Sequence, residues 1–382
     1  MTSPLPHPED AGGAWVGRAW DPAAGGPCLV AVRDGRVVDI TTAAAPTMRD
    51  LLELDDPAGF TATVGGRDLG SLEEVAGGGE GAPRLLAPCD LQALKACGVT
   101  FARSMVERVI EERAAGDPAK AEAIRERIAG LIGASLRDIH PGSAEAAAAK
   151  TALQGEGLWS PYLEVGIGPD AEVFTKGQPM SAVGYGAAVG LHPVSKWNNP
   201  EPEVVLAVDS RGRIKGAALG NDVNLRDVEG RSALLLGKAK DNNASGAIGP
   251  FVRLFDAGFS LDDVRIAELA MTVEGTDGFR LEGRSSMREI SRDPADLVAQ
   301  TIGRHHQYPD GFMLFLGTMF APVQDRDGPG QGFTHHAGDV VTISAPGLGA
   351  LVNPVGLATE VPEWGFGTAA LMRNLASRGL LA

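Results

Sequence analysis

Positive charge is in short supply in this chain. Its 382 residues carry 34 lysines and arginines against 49 aspartates and glutamates, a net charge of −15. A protein built around nucleic acid needs a basic surface for the phosphates, and one lying on an anionic membrane needs basic clusters. Neither partner is expected. Cysteine is scarce as well: Cys28, Cys89 and Cys97 make an odd count without C-x-x-C spacing, which speaks against a disulfide framework and a thiolate zinc site. That number suits a reducing compartment, and a cytoplasmic location is expected. Apolar runs long enough to span a membrane are missing. The leading MTSPLPHPEDAGGAWVGRAW lacks the basic and apolar regions of a secretory signal. Aromatics supply only 5% of residues.

What the chain does have is glycine and apolar bulk. There are 51 glycines, about twice the usual ~7%, with no G-X-Y period, so many tight turns between short strands are expected. With 44% hydrophobic residues the chain can bury a sizeable core. The length suggests two domains, or one with a large insertion. Residues 1–84 read as a small α+β module, with a hairpin turn at Asp34-Gly35 and a helix over 45–56. The glycine-rich AGGGEGAPR (76–84) is a connector. Residues 85–382 read as the main domain. Helical spacing over 101–133, broken at Gly116-Asp117-Pro118, and a further helix over 143–157 mark a helical insertion at about 101–157. From about Tyr162 the chain is β-rich, with helices expected at 226–239, 293–305 and 367–379. The whole reads as α+β, a rolled or barrel-like mixed sheet. No G-x-G-x-x-G, P-loop, G-x-S-x-G or H-E-x-x-H motif appears.

Chemistry first shows in WNNPEPEVVLAVD. Glu201 and Glu203 stand two residues apart at the start of an apolar strand, so both project to one face. Two such carboxylates repel unless a cation or protons share them. Hard oxygen ligands suit magnesium, manganese or calcium; the plain alternative is an exposed acidic strand start. The strand is followed by a turn at Arg211-Gly212 and a returning strand that ends in G-N-D. The hairpin brings Asp222 back to the same end as a third carboxylate. Arg226, Asp227 and Glu229 follow on a helix, where the plain reading is a solvated face, above all for Asp227. Lys240 opens a polar loop; beside a cation a lysine's charged form is disfavoured, its pKa falls, and it can shuttle protons. Lys238 reads as the surface lysine.

Taken together, E-x-E (201–203), N-D-V-N-L-R-D (221–227), the loop from Lys240 to Gly249-Pro250, LGT (316–318) and GDVVTISAPGLGALVNPVG (338–356) resemble the fumarylacetoacetate hydrolase superfamily. The resemblance covers roughly 85–382. It implies a mixed β-roll core, a divalent metal (usually Mg2+, with Mn2+ or Ca2+ as substitutes) held by Glu201, Glu203 and Asp222, and a small anionic 2-keto acid as substrate. It also implies proton transfer by Lys240, a substrate contact from Thr318, and a homodimer or homotetramer. Hydrolytic members carry G-x-N-Y-x-x-H-x-x-E. Here the run is GVTFARSMVE, with Thr100 and Phe101 for Asn-Tyr, Ser104 for the histidine, and Glu107 retained. That departure, together with LGNDVNLRDVEGRSALLL, KAKDNNAS and HQYPDGFMLFLGTMFAP, is similar to the branch of 2-keto-3-deoxy-pentonate dehydratases.

What this branch implies is loss of the C4 hydroxyl from a 2-keto-3-deoxy-pentonate after removal of a C3 proton, giving α-ketoglutarate semialdehyde. Glu107 and Lys240 are the acid/base candidates. Ser104, Glu229, Asn199 and Lys176 are candidates for holding substrate. Two alternatives stay open: a hydrolase or decarboxylase of a diketo or oxo acid, which a histidine paired with Glu107 would favour, and a non-catalytic metal- or acid-binding module. The pairs His305-His306 and His335-His336 look like ligand pairs. Neighbours on a strand face opposite ways, so structural roles are expected.

Overall fold

The computed structural model describes residues 12–79, 81–115, 117–122, 124, 139–155, 157 and 159–381. The expected helix beyond the 116–118 break falls mostly on 125–138, outside the described residues. The described residues form sixteen strands: β1 (Trp15–Asp21), β2 (Gly26–Arg33), β3 (Arg36–Asp39), β4 (Arg67–Ser71), β5 (Arg84–Leu86), β6 (Ala93–Gly98), β7 (Glu172–Gly177) and β8 (Val189–Leu191), then β9 (Pro202–Val208), β10 (Ile214–Asp222), β11 (Gly246–Leu254), β12 (Glu268–Glu274), β13 (Arg280–Ser286), β14 (Phe312–Phe315), β15 (Val340–Ala345) and β16 (Gly349–Leu357). A large sheet runs β4-β3-β2-β1-β11-β10-β9-β14-β6-β7, with β5 also paired to β1. A smaller one runs β13-β12-β15-β16-β8. Both are mixed: β14 runs parallel to β6 and β16 parallel to β8, while the other pairings are antiparallel. The class is α+β.

The central strands are apolar on both faces because both faces are covered. Along β9, Val204, Leu206 and Val208 point into one core, which also takes Leu269, Met271, Val341 and Ile343 from the small sheet. Val205 and Ala207 point the other way, into a core shared with Met48, Leu51 and Leu52 of the helix Met48–Glu53. The large sheet is therefore the middle of three layers. The N-terminal strands are part of it, since β1 pairs with β11 through Trp15↔Arg253 and Val16↔Val252.

The insertion has its own core. Met105, Val109 and Ile110 of the helix Ala102–Ala114 pack with Ala146, Leu163, Ile167 and Trp197. The single helix expected over 226–239 is broken into Arg226–Glu229, a 3-10 turn Ala233–Leu235 and Leu236–Lys240. Gly230 ends the first piece, and Ser232 opens the next by accepting the Leu234 N–H on its side chain. The helix expected over 293–305 ends at Thr301. Among the described residues no helix is long and apolar enough to cross a membrane.

Candidate metal centre and active site

The β9–β10 hairpin builds the site. Its register sets Gly220 opposite Glu203 and Asn221 opposite Pro202, and Asp222 N–H donates to Glu201 O at 3.0 Å. The two strand ends thus meet, and one carboxylate oxygen from each of Glu201, Glu203 and Asp222 can be drawn from a group lying within 4.8 Å of one another. All three residues are buried. Glu203 is held by the Gly317 N–H (2.8 Å to Oε2) and by Thr318 Oγ1 (3.2 Å to Oε1). Gly317 has φ +104°, and a Cβ there would lie 2.0 Å from Thr100 Oγ1. Only glycine lets the chain turn and aim its N–H at Glu203.

The electrostatics fit a divalent cation. Burial, then repulsion from Asp222 and Glu201, push the Glu203 carboxyl well above the usual range. Glu201 stays low, to about 2, because Lys240 and Arg108 outweigh its burial. Three buried hard-oxygen donors, one of them pushed toward its protonated form by the other two, match what Mg2+ takes from a protein.

Lys240 Nζ lies 2.5 Å from Glu201 Oε2 and 3.0 Å from Asp222 Oδ2. Burial disfavours its ammonium, but the Asp222 and Glu201 carboxylates outweigh it and hold Lys240 above its ordinary value; the fall expected beside a cation would need that cation in place. Lys176 is the lysine whose pKa falls, through burial, against the pull of Asp222 at 2.9 Å. It also donates to Lys240 O. Lys238 is exposed, as expected.

Thr318 and Glu229 line the cavity. Asn199 is fully buried but donates to Pro200 O at 2.8 Å, and its backbone pairs with Asn224. Glu107 is not among the residues lining the cavity; it contacts Arg226 at 3.3 Å, with 17% of its side chain exposed. Ser104 lies in the helix Ala102–Ala114, and its side chain is outside the described residues. Arg226 is buried rather than solvated, over the Trp197 ring at 4.4 Å and 2.6 Å from Glu111. Asp227 ties down the preceding loop by accepting from Ser195 Oγ and Lys196 N–H.

Two cavity residues were not expected from the sequence. Glu172, at the start of β7, has its carboxyl raised to about 7 by burial and by Glu229, against Arg108 and Lys240. Its carboxylate lies over Gly98, where a Cβ would come within 1.8 Å of Oε2. Arg108 reaches in from the insertion helix to Glu201, to Glu111 (2.6 Å) and to Glu229 (3.0 Å). A sequence signal for Arg108 existed: it lies seven residues from Phe101 and three from Met105, on the apolar side of its helix. The histidines take separate partners. His335 is buried on Asp339 (3.0 Å), His336 faces Asp277 and Asp327, and His306 packs edge-on against Tyr308. Among the described residues lining the cavity there is no histidine.

Residues 168–356 match the model of the fumarylacetoacetate hydrolase C-terminal domain. That segment holds both hairpin strands, the three carboxylates, both buried lysines and Thr318. Just under half of the chain is thus similar to this domain. It is 32% identical over 194 residues to a probable 2-keto-3-deoxyxylonate dehydratase of Haloferax volcanii, covering 51% of this chain and 63% of that protein. It is 31% identical over 187 residues to a 2-dehydro-3-deoxy-D-arabinonate dehydratase of Saccharolobus solfataricus, covering 48% and 58%. Both matches thus span less than two thirds of the relative. In fold the chain is similar to a 2-keto-3-deoxy-D-arabinonate dehydratase complexed with magnesium and 2,5-dioxopentanoate, with TM-score 0.61, 18% identity, and 90% of this chain and 99% of that one covered.

Proposed function

We propose that this protein is a divalent-metal-dependent lyase that dehydrates a 2-keto-3-deoxy-pentonate to 2,5-dioxopentanoate, the semialdehyde of α-ketoglutarate. The observation that carries the reading is the buried trio Glu201, Glu203 and Asp222 with two lysines and a near-neutral glutamate around it. The two dehydratase relatives supply the substrate class. A cation held by the trio, Mg2+ in the first instance, supplies Lewis-acid polarisation of the substrate's 2-keto acid oxygens.

The reaction needs a base for the C3 proton and an acid for the departing C4 hydroxyl, which leaves as water. A proton shift from C5 to C3 then gives the C4=C5 enol, which takes a proton at C4 and loses its O–H proton to become the aldehyde. Glu172 is suited to take and return a proton near neutrality. Lys240, held charged, is suited to donate one. Thr318 lies where it can orient the substrate. Glu107 contacts Arg226 and is not among the residues lining the cavity. The hydrolytic alternative needs an imidazole near Glu107, and the described cavity lining supplies none.

The test is incubation of the purified protein with 2-keto-3-deoxy-xylonate and 2-keto-3-deoxy-arabinonate, with and without Mg2+. Metal-dependent formation of the semialdehyde is expected. Pyruvate plus a two-carbon fragment, or turnover unaffected by chelator, would count against dehydration. Glu172→Gln and Glu107→Gln then separate the two glutamates: the first abolishes dehydration, and the second retains most of it.

A further inference from the structure

Both oxygens of Glu201 are already taken by cationic side chains. Lys240 holds Oε2 and Arg108 holds Oε1. Each oxygen keeps a further lone pair, but a metal ion on Glu201 would sit against the positive charge of both side chains and so competes with them for the carboxylate. Lys240 is the harder to move, since it also bridges Asp222 and its own carbonyl is held by Lys176 and Ser245. Arg108 differs. Its Nη2 is on Glu201, while its Nη1 is on Glu111 and Glu229. It can release Glu201 and stay in place through the other nitrogen. Glu111 is itself fixed by Arg226, so the position of the Arg108 head is set from the insertion helix.

The charge balance points the same way. Around the cavity stand the carboxyl groups of Glu172, Glu201, Glu203, Asp222 and Glu229 and the cationic side chains of Arg108, Lys176 and Lys240. Without metal, Glu201 takes Arg108 as a counter-ion. With a doubly charged ion on the trio that attraction is offset, and one arm of the guanidinium is left facing the cavity. That freed N–H carries the guanidinium's charge, and a carboxylate is its matched acceptor.

We propose that Arg108 is an exchange residue: it competes with the divalent cation for Glu201 and, once displaced, binds the carboxylate of the 2-keto acid. Arg108 is then a specificity-determining residue carried by the helical insertion. This rests on the metal-dependent reading above and extends it. One consequence is ordered binding, in which cation comes first and acid second.

Titration calorimetry tests it on the full chain, first with Mg2+ alone, then with pyruvate added to Mg2+-saturated protein. For Arg108→Gln, Mg2+ binding is expected to tighten on the order of tenfold and pyruvate binding to weaken on the order of tenfold or more. The opposite signs matter, because a merely damaged fold weakens both. Arg108→Lys keeps the charge but not the fork, and is expected to match wild type for Mg2+ while binding pyruvate more weakly. Mg2+ affinity unchanged or lower in Arg108→Gln overturns the proposal, as does pyruvate affinity equal to wild type. If wild type and both variants all fail to bind Mg2+, the metal-dependent reading falls and this inference falls with it. If only Arg108→Gln binds the ion, competition is supported.

Discussion

The ammonium of Lys240 spans Glu201 and Asp222, 2.5 Å from one carboxylate and 3.0 Å from the other. It does before metal binding part of what the metal does after it. Removing it with Lys240→Met leaves buried carboxylates uncompensated, a loss of about 3–5 kcal/mol for a broken buried pair. The metal-free variant is expected to unfold at lower denaturant, with Mg2+ restoring part of the difference, and dehydration is expected to fall by roughly 10²–10⁴. Denaturant curves with and without Mg2+ decide it; a metal-free variant as stable as wild type would show that the bridge contributes nothing.

Glu203 behaves in the opposite sense. Its carboxyl is pushed up by burial and by its two acidic neighbours, so without metal the ionised group costs stability. Glu203→Gln is expected to melt at or above the wild-type temperature in chelator, and to show no rise on adding Mg2+. Thermal melts under the two conditions test this, and a Mg2+-dependent rise equal to wild type would remove Glu203 from the ligand set.

Gly98 makes room for Glu172, whose carboxylate occupies the space a Cβ would fill. Gly98→Ala pushes aside only the end of a flexible side chain. The variant is expected to fold with near-native stability and to lose activity by about tenfold or more, a cost seen for small misplacements of reacting groups. Steady-state kinetics beside a melt checks it. Wild-type turnover in Gly98→Ala would mean that Glu172 does not need its present position.

Acid stability should be set in part away from the site, at His335 and Asp339, beside the depressed Glu201 within it. Burial lowers the His335 pKa below 6.5, despite Asp339 at 3.0 Å. The unfolded chain therefore binds more protons than the native one below about pH 6.5, and stability falls as pH drops through that range. Asp339 is buried, yet Arg326 and His335 hold its carboxyl below the usual range. Its contribution is present above the ordinary aspartate value and is lost as pH falls through the depressed one. His335→Gln is expected to flatten the decline that begins as pH falls below about 6.5 and to leave the loss that sets in below the ordinary aspartate range. Unchanged slopes in pH-dependent denaturation would place the acid sensitivity elsewhere.

The trio was legible because a hairpin converts spacing along the chain into adjacency in space: Glu-x-Glu at one strand start and Asp at the other strand's end suffice. Glu172 was not legible, because it faces the cavity through the pairing of β7 with β6, and nothing near it in sequence announces that partner. Lys176 was noted only as a substrate candidate. Its burial against Asp222 depends on β7 and the segment after Lys240 meeting. The broken helix at 226–240 was missed because apolar spacing continues through Gly230, while the local turn at Ser232 decides the path.

One feature of the large sheet reaches beyond the site. β1 covers the edge of β11, which covers β10, which carries Asp222. A chain starting at residue 85 would leave the β11 edge at Val252 and Arg253 without its β1 partners, and unpaired N–H and C=O groups on a strand edge recruit another strand. Residues 1–84 thus act as a seal at that edge of the sheet, and the strands that carry the Glu201, Glu203 and Asp222 trio are guarded by a segment that contributes nothing to it.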